Sequence, residues 1–131
     1  MNDEIDLLIR IIIGCAMKVH RHLRNGFQEK IYGNALEIEM TLQKIAFERE
    51  KEMQILYENH EIGVRRVDFF VENLIMVEIK AIEFLEGRHV AQALNYLEIY
   101  NIESGLLINF GAKSLQFKRL YNNKLNKLKV K

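Results

Sequence analysis

Asp68, Glu78 and Lys80 are charged residues set inside apolar, β-rich runs. Asp68 lies in Arg65-Arg66-Val67-Asp68-Phe69-Phe70-Val71, and ten positions later Glu78 and Lys80 close the run Leu74-Ile75-Met76-Val77-Glu78-Ile79-Lys80. Charge in such surroundings is costly unless it is paired or binds a metal. Two carboxylates and an ammonium at the ends of neighbouring strands suit a divalent cation and a phosphodiester. Mg²⁺ or Mn²⁺ takes oxygen ligands and keeps several waters. It polarises a phosphate and acidifies a bound water, and a lysine beside it can orient that water or stabilise developing negative charge. The backbone carbonyl of Ile79 is a further candidate ligand. The plain alternative is an Asp–Lys or Glu–Lys ion pair near a sheet edge.

Whether the carboxylates meet depends on hairpin register. Strict alternation puts Glu78 and Lys80 on one face of their strand, and Arg66, Asp68 and Phe70 on one face of theirs. A two-residue turn at Glu72-Asn73 would set Asp68 opposite Val77, on the wrong face. A three-residue turn or a bulge would set it opposite Glu78.

Two helical segments offer supporting groups. His89, Gln92 and Tyr96 fall within about 60° of one another at helical spacing. Gln92 and Tyr96 can orient a ligand, a metal-bound water or Lys80, or simply border the apolar face. In Gly26-Phe27-Gln28-Glu29-Lys30-Ile31-Tyr32, Gly26 permits a tight turn and Glu29 complements a helix N-terminus. Glu29 can also be a further metal ligand, with His20 nearby or acting as a hydrogen-bonded cap.

The elements that must position these residues are legible in the periodicity. Ile5, Leu8, Ile9, Ile12, Cys15, Ala16, Val19 and Leu23 have helical spacing over residues 3–23, with Asn2 or Asp3 as the cap and Asn25-Gly26 as the stop. A second helix carries the stripe Ile31, Ala35, Ile38, Leu42 and Ile45. Residues 47–57 alternate as a strand, and 58–63 read as a hairpin loop. Strands are expected at 64–71, 74–81, 104–110 and 115–120, with a helix at 86–100 facing inward through Val90, Ala93, Leu94 and Leu97. The order is α-α-β-β-β-α-β-β, an α/β (α+β) arrangement. Its mixed central sheet is flanked by helices, with the crossover helix on one face and the N-terminal helices packing around the sheet.

The chain has 131 residues with no proline, low-complexity linker or repeat, which predicts a single domain over 1–131. Its formal net charge is +1, so no global field draws nucleic acid, and such a partner needs a local basic patch. The lysines after residue 123, namely Lys124, Lys127, Lys129 and Lys131, offer one, or a solvated tail. The single cysteine, Cys15, excludes an intrachain disulfide and a cysteine-based zinc site and reads as a core residue. The run Ile11-Ile12-Ile13, between Arg10 and Lys18, is too short to span a membrane, and no signal-peptide cleavage pattern follows. A cytoplasmic protein is expected. Leu7, Ile11 and Ile13 are candidates for a homodimer contact or for core.

Together these segments resemble the GxxExxY family, a branch of the PD-(D/E)xK nuclease-like superfamily. The resemblance runs from Ile13-Gly14-Cys15-Ala16-Met17-Lys18-Val19-His20 through the Gly26-to-Tyr32 element, Val67-Asp68 and Val77-Glu78-Ile79-Lys80-Ala81. It continues through Ala91-Gln92-Ala93-Leu94-Asn95-Tyr96-Leu97 to Gly105-Leu106-Leu107-Ile108-Asn109-Phe110-Gly111. It implies a restriction-endonuclease-like core of α-β-β-β-α-β order. It also implies that Asp68, Glu78 and Lys80 stand at the acid, acid and lysine positions, with Glu29 as the helix glutamate. Gln92 and Tyr96 match the Gln-x-x-x-Tyr of the exonuclease-like branch. The proline of the superfamily motif is absent, and Val67 precedes Asp68. The implied activity is Mg²⁺- or Mn²⁺-dependent hydrolysis of DNA or RNA. The alternative is a non-catalytic module that binds nucleic acid or protein through the same pocket.

Overall fold

The computed structural model describes residues 3–126. Asn2 and the lysines at 127, 129 and 131 lie outside that range. Helix α1 (Asp3–Leu23) has acidic residues in its first turn and His20, Arg21 and His22 in its last, which complements its dipole. Ile5, Ile9, Ile12, Ala16 and Val19 form its buried stripe, and Cys15 is buried with them. Leu7 is 52% exposed, whereas Ile11 and Ile13 pack partly against the core. Among the described residues no helix is long and apolar enough to cross a membrane.

Helix α2 (Glu29–Leu42) corrects the sequence reading. Its buried positions are Tyr32, Gly33, Leu36 and Met40, while Ile38 and Leu42 are 60% and 65% exposed. Tyr32, Leu36 and Met40 also have helical spacing, as the expected stripe does, and they are the large side chains that α2 buries. Ile45 is buried, but it lies beyond the helix.

Strands β1 (Phe47–Tyr57), β2 (His60–Val71), β3 (Ile75–Lys80), β4 (Ser104–Asn109) and β5 (Gln116–Tyr121) form one sheet in that spatial order. Helix α3 (Gly87–Tyr100) connects β3 to β4, the parallel pair; the other neighbours are antiparallel. This is the expected mixed sheet. The β1–β2 loop is tighter than expected: Glu58 and Asn59 both have positive φ, and β2 begins at His60, as in a two-residue hairpin turn. Helices α1 and α2 pack on one face through Phe69, Val71, Ile75, Val77 and Ile79. Helix α3 packs on the other through Ala93 and Leu97 against Val67, Met76 and Leu107. Strands β3 and β4 are therefore covered on both sides, which explains their near-continuous apolar runs.

Strict alternation fails at one place in β1 and β2. Phe69 belongs to the α1–α2 core, but Val67, two residues earlier, belongs to the α3 core. Across the hairpin, Arg49 bonds Asn34 and Glu37 of α2, while Lys51 lies over Phe70 and Met53 packs towards α3. Both strands change face between these positions. Glu50, at the flip, has φ +53°, a left-handed conformation uncommon for a non-glycine residue. The ladder passes from Arg49↔Phe69 to Lys51↔Val67 without pairing Glu50 to Asp68.

Candidate active site

The turn between β2 and β3 decides the register. Val71 pairs with Ile75, so Glu72, Asn73 and Leu74 form a three-residue connection, with positive φ at Glu72 and Asn73. That register carries Asp68 to the level of Glu78, the arrangement a shared acidic site requires. The regular ladder ends at Phe69↔Val77. Beyond it the two carboxylates take over backbone bonding. The Asp68 N–H donates to Glu78 Oε2 at 3.2 Å, and the Ile79 N–H donates to Asp68 Oδ2 at 2.8 Å. These reciprocal bonds fix both side chains to the opposite strand and satisfy amides that the splayed ladder leaves open.

Glu78 is only 3% exposed. Its countercharge is Arg65, whose Nη2 donates to Glu78 Oε1 at 2.5 Å. Arg65 in turn lies 4.0 Å over the ring of Tyr96, a cation–π contact. Tyr96 stacks on Tyr100, whose hydroxyl donates to the Met53 carbonyl. Tyr96 thus reaches the site through Arg65. Sequence reasoning missed Arg65 because strict alternation favoured Arg66, which instead makes an exposed pair with Glu52. The face flip at Asp68 exchanges the roles of the two arginines. The available signal was electrostatic: a buried glutamate demands a cation.

Burial is the main force raising the Glu78 carboxyl from 4.5 to about 8, followed by the charge and hydrogen bonding of Asp68; Arg65 opposes the rise without cancelling it. Glu29, at the start of α2, remains exposed. Its carboxyl is also raised, by partial desolvation and then by Asp68, and lowered by Lys80 and Arg65. Glu29, Lys30, Arg49, Glu50, Asp68 and Ile79 line a cavity of about 150 Å³. Glu50, a carboxylate with no motif around it, was not foreseen at this cavity.

The Gly26-to-Tyr32 element has a structural logic of its own. Gly26 takes φ +115°. Tyr32 is fully buried, stacks on Phe110 at 4.8 Å and donates its hydroxyl to the Arg24 carbonyl at 2.5 Å. The α1–α2 connection is thereby tied to the end of β4, next to β3, where the Phe110 N–H donates to the Lys80 carbonyl. Glu29 and Lys80 are brought to the same end of the sheet. His20 bonds the Ala112 carbonyl in the turn after β4 at 2.9 Å, so it ties two segments together rather than capping its own helix. His89 accepts from the Glu86 N–H and completes a capping box. Gln92 is exposed on α3, and no hydrogen bond joins it to the acidic pair among the described residues.

Mg²⁺ and Mn²⁺ suit carboxylate and water ligands; burial is the larger cause of the raised Glu78 and Glu29 carboxyls, and the repulsion from Asp68 that adds to it is one a divalent cation relieves. The donor types therefore fit such an ion. Among the described residues no three His, Cys, Asp or Glu side chains form a group able to hold a metal ion by themselves.

A helix-flanked mixed sheet, with an acidic pair facing across β2 and β3 and a lysine closing β3, defines a restriction-endonuclease-like domain. The model of the PD-(D/E)XK nuclease superfamily matches residues 6–120, and the chain belongs to that superfamily. The fold is similar to the crystal structure of SSO0001, with a TM-score of 0.55 and 21% identity over 78% of this chain. The match covers 54% of SSO0001, so the chain spans about half the length of that protein. No curated protein matches the chain.

Proposed function

We propose that this protein is a Mg²⁺- or Mn²⁺-dependent nuclease of the GxxExxY branch, hydrolysing phosphodiester bonds of DNA or RNA. The observation that carries this reading is the reciprocal bonding of Asp68 and Glu78 across the hairpin, with Lys80 two residues further on. Asp68 and Glu78, with Glu29 beside them, would hold the ion. The ion would supply Lewis acidity and a water of lowered pKa. Lys80 would orient that water or stabilise the charge that develops on the phosphate. Arg65 holds Glu78 in place, and Tyr96 supports Arg65 from below. Gln92 would contribute by orienting the backbone phosphate from α3.

Cleavage of labelled single- and double-stranded DNA and RNA should require Mn²⁺ or Mg²⁺ and fail in Asp68→Asn and Lys80→Ala. Cleavage that persists in both variants would remove the proposal.

One observation favours a second reading. Arg65 already pairs with Glu78, as it would in a module that keeps the pocket without the chemistry. Such a module would bind nucleic acid in a salt-sensitive way and show no metal-dependent turnover.

A further inference from the structure

A second charged region lies at the same end of the sheet. The α1–α2 connection and the turn after β4 enclose a cavity of about 370 Å³ lined by His20, Arg21, Arg24, Asn25 and Lys113. Among the described residues no acidic side chain lines it. Arg21, Arg24 and Lys113 are exposed, and none makes an ion pair among the described residues. Arg49, Lys51, Arg65, Arg66 and Arg119, by contrast, each have a carboxylate partner. Unscreened cations gathered in one concave place repel one another, and an anionic ligand relieves that repulsion.

The backbone beneath this corner is fixed. His20 and Asn25 hold the carbonyls of Ala112 and Gly111. Gly111 runs so close to the Ile82 backbone that a side chain at that position would collide with it. The same two segments reach the acidic site. Phe110 bonds the Lys80 carbonyl, and the α1–α2 connection runs directly into Glu29.

We propose that the Arg21–Arg24–Lys113 corner binds the phosphate backbone of a nucleic-acid strand and leads it to Lys80 and Asp68. The inference rests on the nuclease reading for its substrate class, but its binding step needs neither metal nor turnover. Cations spread over two chain segments contact successive phosphates and read no base edge, so the corner binds without sequence preference. It also provides the local basic patch that a chain of net charge +1 needs.

The test is fluorescence anisotropy of labelled DNA and RNA oligonucleotides in EDTA over a salt series. The triple variant Arg21→Gln, Arg24→Gln, Lys113→Gln is compared with the parent and with a Lys44→Gln, Lys118→Gln control. Each lost phosphate contact lowers the slope of log affinity against log salt by about 0.7–0.9, so the triple variant should lose roughly 2–3 from the slope while the control keeps it. Thermal unfolding checks that the variants remain folded. A triple variant with the parent's affinity and slope would overturn the corner and leave the nuclease reading standing. A parent that binds no oligonucleotide in EDTA at low salt would overturn it as well. A parent that binds through the corner but never cleaves, with any metal, would sink the nuclease reading and keep the corner.

Discussion

Two charged regions share one end of this sheet and are built in opposite ways. At the acidic pair, charge is buried and bonded: Glu78 meets Arg65 and the Asp68 amide, and Asp68 meets the Ile79 amide. At the basic corner, Arg21, Arg24 and Lys113 stand exposed and, among the described residues, without carboxylate partners. The difference separates two tasks. A group that must hold a reacting centre has to be fixed and dry enough for its charge to matter. A group that captures a flexible polyanion works best hydrated and free to adjust, and its strength depends on salt. On the proposed reading, the buried region acts on stability and chemistry together, and the exposed region on affinity alone.

The comparison breaks most visibly in activity. Asp68→Asn or Lys80→Ala should lower metal-dependent cleavage on the order of 10²–10³-fold or more, while circular dichroism and thermal unfolding show a folded chain. Equal loss of structure and activity would instead mark the acidic pair as a structural ion network.

The next effect is on stability. Arg65→Met, measured above pH 8 where Glu78 is ionised, leaves that carboxylate buried without its cation and should cost about 2–4 kcal/mol in urea unfolding. Adding Glu78→Gln to that variant should recover part of the loss, because the uncompensated charge is gone. Additive losses would show that Arg65 matters by packing on Tyr96 rather than by charge.

A pH series sharpens the same point. The folded protein raises the Glu78 carboxyl from 4.5 to about 8, so between those values the folded state keeps a proton that the unfolded state releases. The metal-free protein is therefore most stable with respect to this group below pH 4.5 and loses that contribution as pH rises towards 8. The expected change is several degrees or more in melting temperature, and Glu78→Gln should flatten the profile. A parent profile that is flat over this range would show that Arg65 holds the carboxylate ionised.

The smallest effect is expected at the corner. Arg21→Gln and Lys113→Gln should each change stability by less than about 0.5 kcal/mol, since neither residue has an ion-pair partner to lose among the described residues. A larger change would show that the corner is part of the scaffold.

Much of the architecture was legible in the sequence because periodicity reports it directly. The bounds of α1, the element order, the parallel crossover through α3 and the inward face of α3 all follow from apolar spacing. The register of Asp68 and Glu78 was reduced to a choice between turn lengths, and the structure selected the longer one. Helix α2 was misread because it carries two apolar stripes, and spacing alone cannot tell which one finds the core. Arg65 and Glu50 stayed hidden because a single left-handed residue reverses the facing of two strands, and nothing about a glutamate announces that conformation. The basic corner was invisible for another reason. Lys113 is far in sequence from Arg21 and Arg24, and it joins them only when His20 and Tyr32 tie the α1–α2 connection to the end of β4.

The most direct test of the central claim is Mn²⁺ binding by titration calorimetry, with a nucleic-acid oligonucleotide present, for the parent and for Asp68→Asn. The account predicts a stoichiometric binding isotherm in the parent and its loss in a variant that remains folded and still binds the oligonucleotide. Equal Mn²⁺ binding by both proteins would contradict it.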